Sequence, residues 1–239
     1  MDADLYRKTV LPSGLTLLTE RIPDRRSLAL GVWVRNGARD EPGERLGISH
    51  FIEHMMFKGT ERRDARAIAA SLESLGGHLD AFTGREEVCY YARALAEHLP
   101  EVVDVLADIV CRSSFATAEV DREKSVVREE IASVEDNPED KVTETLSEQV
   151  WPGHPLGRPI LGTEETVGRL DSARLRAALH LPAFESRAIV FQGKLDPPRH
   201  CLMFYAPAPK SENRKSLALH ICRVQNIMHR QSEEGSLRP

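Results

Sequence analysis

The chain opens with alternation. Lys8-Thr9-Val10-Leu11 and Leu15-Thr16-Leu17-Leu18-Thr19 flank the turn tripeptide Pro12-Ser13-Gly14, a pattern that predicts a hairpin. Residues 28–34 form a second apolar run, with Gly31 and Trp33 inside it, short enough to be a buried strand of the same sheet. Between residues 47 and 58 the period changes. Ile48, Phe51, Ile52, Met55 and Met56 recur at helical spacing, and Gly59 supplies the stop expected just past a helix end. Helical spacing returns over 65–75, closed by Gly76-Gly77, and residues 79–83 and 87–92 read as two strands joined at Gly84-Arg85. Strongly periodic helices are predicted over 99–110 and 118–134. The second ends before Asn137-Pro138, because proline disfavours a helical conformation in the residue before it. A further helix is predicted over 141–150. Strands paired through tight turns, alternating with long helices, define an α+β fold: mostly antiparallel sheet with helices packed on one face.

After about Asp196 the pattern changes. Pro197, Pro198, Pro207 and Pro209 interrupt it, and residues 197–239 carry seven Lys/Arg against three Asp/Glu in a chain of net charge -5. The expected organisation is a folded domain over 1–196 and an atypical basic, proline-containing tail over 197–239, poorly ordered or frame-shifted. The tail's charges are sparse and not interleaved with aromatics, and the whole chain has no basic field, so nucleic acid is excluded as a partner. With 41% hydrophobic and 29% charged residues among 239, the chain has the balance of a soluble globular protein. Met1-Asp2-Ala3-Asp4-Leu5 has neither a basic start nor an apolar run, and no stretch reaches the ~18 apolar residues of a membrane span. Cys89, Cys111, Cys201 and Cys222 lack CxxC spacing and read as reduced thiols, giving a cytoplasmic expectation.

The chemistry gathers in His50-Phe51-Ile52-Glu53-His54. Residues four apart lie on one helical face, so both imidazoles can address a single ion, with Glu53 on the adjoining stripe. The apolar residues between them bury the opposite side and hold the helix rigid. Zinc in a hydrolase takes three protein ligands and keeps a place for water, whose pKa falls to about 7. The third ligand is expected on the helix over 118–134, which offers Glu119, Glu123, Glu129 and Glu130. Spacing leaves these open; Glu123 and Glu130, two turns apart, share a face. His78, His98 and His154 have no partner spacing. The remaining acids of the cluster Glu129, Glu135, Asp136, Glu139 and Asp140 read as a solvated face.

HxxEH is the inverted zinc motif of the inverzincins, and His50 to Thr60, HFIEHMMFKGT, resembles the bacterial relatives of the processing-peptidase β-subunit within the insulysin–pitrilysin superfamily. The likeness continues through Leu79-Asp80-Ala81-Phe82-Thr83-Gly84-Arg85-Glu86, Cys89-Tyr90-Tyr91-Ala92, Val126-Val127-Arg128-Glu129-Glu130-Ile131 and His154-Pro155-Leu156-Gly157-Arg158-Pro159. The resemblance implies a zinc-dependent metalloendopeptidase N-terminal catalytic domain with one Zn2+, held by His50, His54 and Glu130. It assigns Glu53 as the general base toward a zinc-activated water, and Glu123 as an auxiliary catalytic acid. It further implies that an extended peptide, or presequence-like segment, lies along the edge strand Asp80, Ala81, Phe82 and Thr83. Related sequences often carry Asn where Asp80 stands, and Arg158 could steer substrate.

Members of this superfamily pair two similar domains, so the resemblance implies a homologous companion domain or subunit, or a homo-oligomer. Two principal readings follow. The chain is an endopeptidase acting on unfolded peptides, or it is a half-clam subunit that binds peptide or a partner chain and is inactive alone. A zinc hydrolase for small molecules is a third, which predicts that peptides are ignored.

Overall fold

The computed structural model describes residues 6–10, 16–20, 26–179 and 203–205. Strands β1 (Tyr6–Val10) and β2 (Thr16–Glu20) pair antiparallel, in the register Lys8↔Leu18. The turn residues expected between them lie outside the described residues. So do the boundary expected near 196, Cys201, Cys222 and the tail, apart from 203–205.

The centre of the sheet is β3 (Ser27–Val34) against β5 (Val88–Leu95), antiparallel along their whole length. Pairing sets Leu28 opposite Ala94, Leu30 opposite Ala92 and Val32 opposite Tyr90, and all six are buried. Strand period two therefore sends one parity of residues to the core, and Trp33, Tyr91 and Arg93 to the other face. Strand β4 (His78–Thr83) pairs with β5, and β6 (Met203–Tyr205) joins β2 to β3. The order is β1-β2-β6-β3-β5-β4, with β3 and β6 the one parallel pair among the described strands. Strand β4 is thus an edge.

Helices cover the core side. Helix α1 (Ile48–Met56) and α2 (Ala65–Glu73) pack against β4, and α3 (Leu99–Arg112) packs against β3 and β5. The apolar stripe that identified α1 in the sequence is the stripe it buries: Phe51, Ile52 and Met55 are at most 1% exposed. Each such side chain contributes roughly 1.5–3 kcal/mol by leaving water. Helix α4 (Thr117–Asp136) packs against α1 and α6, and its buried residues are Val120, Glu123 and Val127. Helix α5 (Pro138–Val150) follows α4 and contacts it without burying a residue of its own, while the short α6 (Glu164–Gly168) packs on α4 and α7 (Ser172–Ala178) on α1.

The mixed fold, with its antiparallel sheet and helical layer, is as the sequence pattern predicts. Two details differ. Helix α5 begins at Pro138, because the Asn137 side chain accepts from Glu139 N at 3.1 Å and a proline in the first turn has no N–H to satisfy. Helices α6 and α7 have too few turns to display a period, and are announced only by their caps, Thr163 and Asp171. No helix among the described residues is long and apolar enough to cross a membrane.

Candidate metal centre

The start of α1 is built to fix its angle. Gly47 has φ +84° and Gly162 has φ +76°, conformations that favour glycine. The two backbones pass so closely that a Cβ on Gly47 would run into Leu161 O, and one on Gly162 into Leu46 O. With no capping side chain at Gly47, the buried carboxylate of Glu41 accepts from Gly47 N and Ser49 N, both at 2.7 Å. Burial pushes this carboxyl up to about 7, against the pull of those hydrogen bonds and of Arg158. Arg158 itself donates to Glu41 O at 2.6 Å, so it pins this junction.

From this fixed start, His50 and His54 project one turn apart, with their Nε2 atoms 3.2 Å from each other. Glu130 Oε2, from α4, lies 3.7 Å from His50 Nε2 and 3.4 Å from His54 Nε2. These three form the metal-competent group found among the described residues. Four ligands around zinc at ~2.0–2.1 Å stand about 3.3–3.4 Å from one another in a tetrahedron; two sides of the observed triangle, 3.2 and 3.4 Å, lie near that spacing and the third, 3.7 Å, is somewhat longer. Burial, and secondarily the neighbouring His54 ring, drive His50 down to about 3, leaving it neutral at neutral pH with a lone pair to give. Glu130 Oε2 is buried without a hydrogen-bond partner in the structure, an arrangement that a cation between it and the imidazoles would satisfy.

The remaining carboxylates surround this triangle. Glu53 Oε2 accepts from Thr83 Oγ1 at 2.5 Å. Burial raises the Glu53 carboxyl, and Asp80 and Glu130 add to the rise while Thr83 and His54 oppose it. Glu123 Oε1 lies 2.8 Å from His54 Nδ1, and Lys58 Nζ reaches its other oxygen at 2.8 Å. The Nδ1 contact commits Nε2 of His54 to face Glu130 and His50. This is the usual way an outer carboxylate fixes a metal-ligating imidazole.

Residues 80–83 divide by strand parity. Ala81 and Thr83 face the helices; Asp80 and Phe82 face the other side, where Tyr91 Oη donates to Asp80 at 2.9 Å and Phe82 meets Trp33 edge-on at 5.3 Å. The structure thus gathers His50, His54, Glu53, Glu123 and Glu130 at one point. Of the strand residues it brings Thr83 into direct contact with this group. His154 accepts from Leu156 N and lies in a loop, away from the triangle. Sequence reasoning missed Lys58, Glu41 and the hydroxyl of Thr83. Lys58 follows His54 by one turn, a spacing that could have drawn attention to it.

Two imidazoles from one helix meet an acid from a crossing helix, beside a further buried carboxylate, and together they make a candidate metal-binding centre in an α+β domain. The profile of the family described as Insulinase (Peptidase family M16) matches residues 16–164, and the chain belongs to that family. It is 45% identical over 176 residues to a protein of Bacillus subtilis described as an uncharacterized zinc protease, YmxG, covering 74% of this chain and 43% of that one. It is 40% identical over 192 residues to a Mycobacterium bovis protein also described as an uncharacterized zinc protease, with 80% and 44% covered. The chain therefore spans less than half the length of these relatives. Among solved structures, a protease from Helicobacter pylori superimposes with a TM-score of 0.71 at 17% identity, covering 89% of this chain and 49% of that one. A peptidase M16 inactive domain from Pseudomonas fluorescens gives 0.67 at 17% identity, with 72% and 42% covered. At these identities the likeness is one of fold.

Proposed function

We propose that this chain is the metal-binding domain of a zinc-dependent metalloendopeptidase, with one Zn2+ held by His50, His54 and Glu130. The observation that carries this reading is the triangle of 3.2, 3.4 and 3.7 Å among their ligand atoms. When bound, zinc would supply Lewis acidity toward a substrate carbonyl and a lowered pKa for water. Glu53 accepts the proton of the attacking water and returns it to the leaving amine. Burial raises its carboxyl above the ordinary carboxylate value, and Thr83 holds one of its oxygens in place. Glu123 orients His54. An extended peptide adds to the open edge of β4, gripped by backbone hydrogen bonds along Asp80, Ala81, Phe82 and Thr83.

The second reading is a subunit that binds peptide or a partner chain and cleaves only when a homologous companion completes it. It draws on the coverage of 43% and 44% of the curated relatives. Hydrolysis of a quenched fluorogenic peptide separates the two. Under the first reading the purified chain cleaves, and cleavage disappears with chelator and falls by at least about 10²-fold in Glu53→Gln. Under the second, zinc binds but the peptide survives until a companion is added. Cleavage that ignores chelator and Glu53 would overturn both.

A further inference from the structure

The Glu123 carboxylate is 4% exposed, and each of its oxygens has one partner. Oε1 meets His54 Nδ1 and Oε2 meets Lys58 Nζ, both at 2.8 Å. A carboxylate removed from water to this degree is costly to keep without a countercharge beside it. Among the described residues, Lys58 is the lysine or arginine that pairs with this carboxylate.

The position of Lys58 is set by backbone. It stands one turn after His54, just beyond the end of α1, where Lys58 N donates to Met55 O at 3.2 Å and Gly59, at φ +128°, turns the chain away. A cation at that point also faces the negative end of the helix dipole. The pair differs in kind from Lys124 with Asp121, where the carboxylate is 64% exposed; exposed pairs of that sort contribute little.

We propose that Lys58 is a positioning residue for the metal centre, acting through Glu123. Its ammonium holds Glu123 in the rotamer that accepts from His54 Nδ1, and so fixes the imidazole that presents Nε2 to the cation. Released from Lys58, the carboxylate turns toward solvent and the His54 ring loses its anchor. The inference rests on the reading of His50, His54 and Glu130 as zinc ligands.

The test is zinc affinity of the full chain by chelator competition, with the visible spectrum of the Co2+-substituted protein as a report on ligand geometry. Lys58→Met keeps most of the side-chain stem and is expected to weaken zinc binding by roughly 10–100-fold and to shift the Co2+ bands. Lys58→Arg restores affinity to within about 3-fold of wild type. Glu123→Gln weakens binding to a similar degree, and adding Lys58→Met to it changes little further, the signature of two residues in one chain of action. Thermal unfolding of the metal-free variants, with Lys58→Gln as a second substitution, checks that the fold persists. Wild-type affinity in Lys58→Met, or losses that multiply in the double variant, would overturn the role of Lys58 while leaving the ligand set standing. A wild-type chain that binds no zinc would overturn both.

Discussion

Thr83 Oγ1 lies 2.5 Å from Glu53 Oε2, so the edge strand of the sheet holds the carboxylate beside the two histidines. In the proposed reaction strand β4 is the substrate's docking edge and Glu53 the base, so the hydrogen bond from Thr83 would couple peptide binding to proton transfer. A hydrogen bond to a charged group contributes about 1.5–3 kcal/mol. Thr83→Val is expected to lower kcat by roughly 10–100-fold with little change in zinc affinity, and Thr83→Ser to restore most of it. Steady-state kinetics of the active assembly checks this; an unchanged kcat in the valine variant would detach Thr83 from the base.

The junction at the start of α1 sets how the histidines are aimed. Gly162→Ala places a Cβ against Leu46 O and forces alanine to adopt φ +76°. The expected loss of stability is at least about 2 kcal/mol, read from denaturant midpoints, together with weaker zinc binding. Gly153, also at positive φ but with open space where a Cβ would stand, serves as the control for strain without collision.

Glu41 gives the fold a pH dependence of known sign. Its carboxyl sits at about 7 in the folded chain, raised from 4.5 chiefly by burial. The folded state therefore holds this proton more tightly than the unfolded state. The stability it contributes is full below about pH 4.5 and is lost as pH rises to about 7. Glu41→Gln remains neutral, and its one carbonyl oxygen can accept from one of the two α1 amides, Gly47 N or Ser49 N. Relative to wild type it should gain stability as pH rises through that window, by up to about 3 kcal/mol, and level off above it. Urea unfolding of both proteins at about pH 5 and about pH 8 measures the difference; equal differences at the two pH values would contradict the assignment.

What the sequence revealed and what it hid follow from the range of the interactions. The α1 period and its HxxEH were legible because helix geometry alone puts His50 and His54 on one face. The choice of third ligand was not, since four acids sit along α4 and it takes the burial of Val120, Glu123 and Val127 to show which face of that helix turns inward. Family resemblance alone supplied the expectation of Glu130, whose Oε2 the structure places 3.4 and 3.7 Å from the two imidazoles. The hydroxyl of Thr83 could be aimed only once the β4–β5 register was known, because a shift of one residue would turn it to the opposite face. Lys58 and Glu41 act across the tertiary structure, on a carboxylate of α4 and on amides of α1 respectively; the one-turn spacing of Lys58 from His54 shows a shared face but not the partner, and no local period marks Glu41.

The central claim is that two imidazoles and the Glu130 carboxylate bind one zinc ion. X-ray absorption of the zinc-loaded chain reads that shell directly. The account predicts one zinc per chain, surrounded by nitrogen and oxygen at about 2.0–2.1 Å with the outer scattering of two imidazoles, and a loss of oxygen ligation in Glu130→Ala. A sulfur shell near 2.3 Å, or a spectrum unchanged by replacing His50, His54 or Glu130, would contradict it.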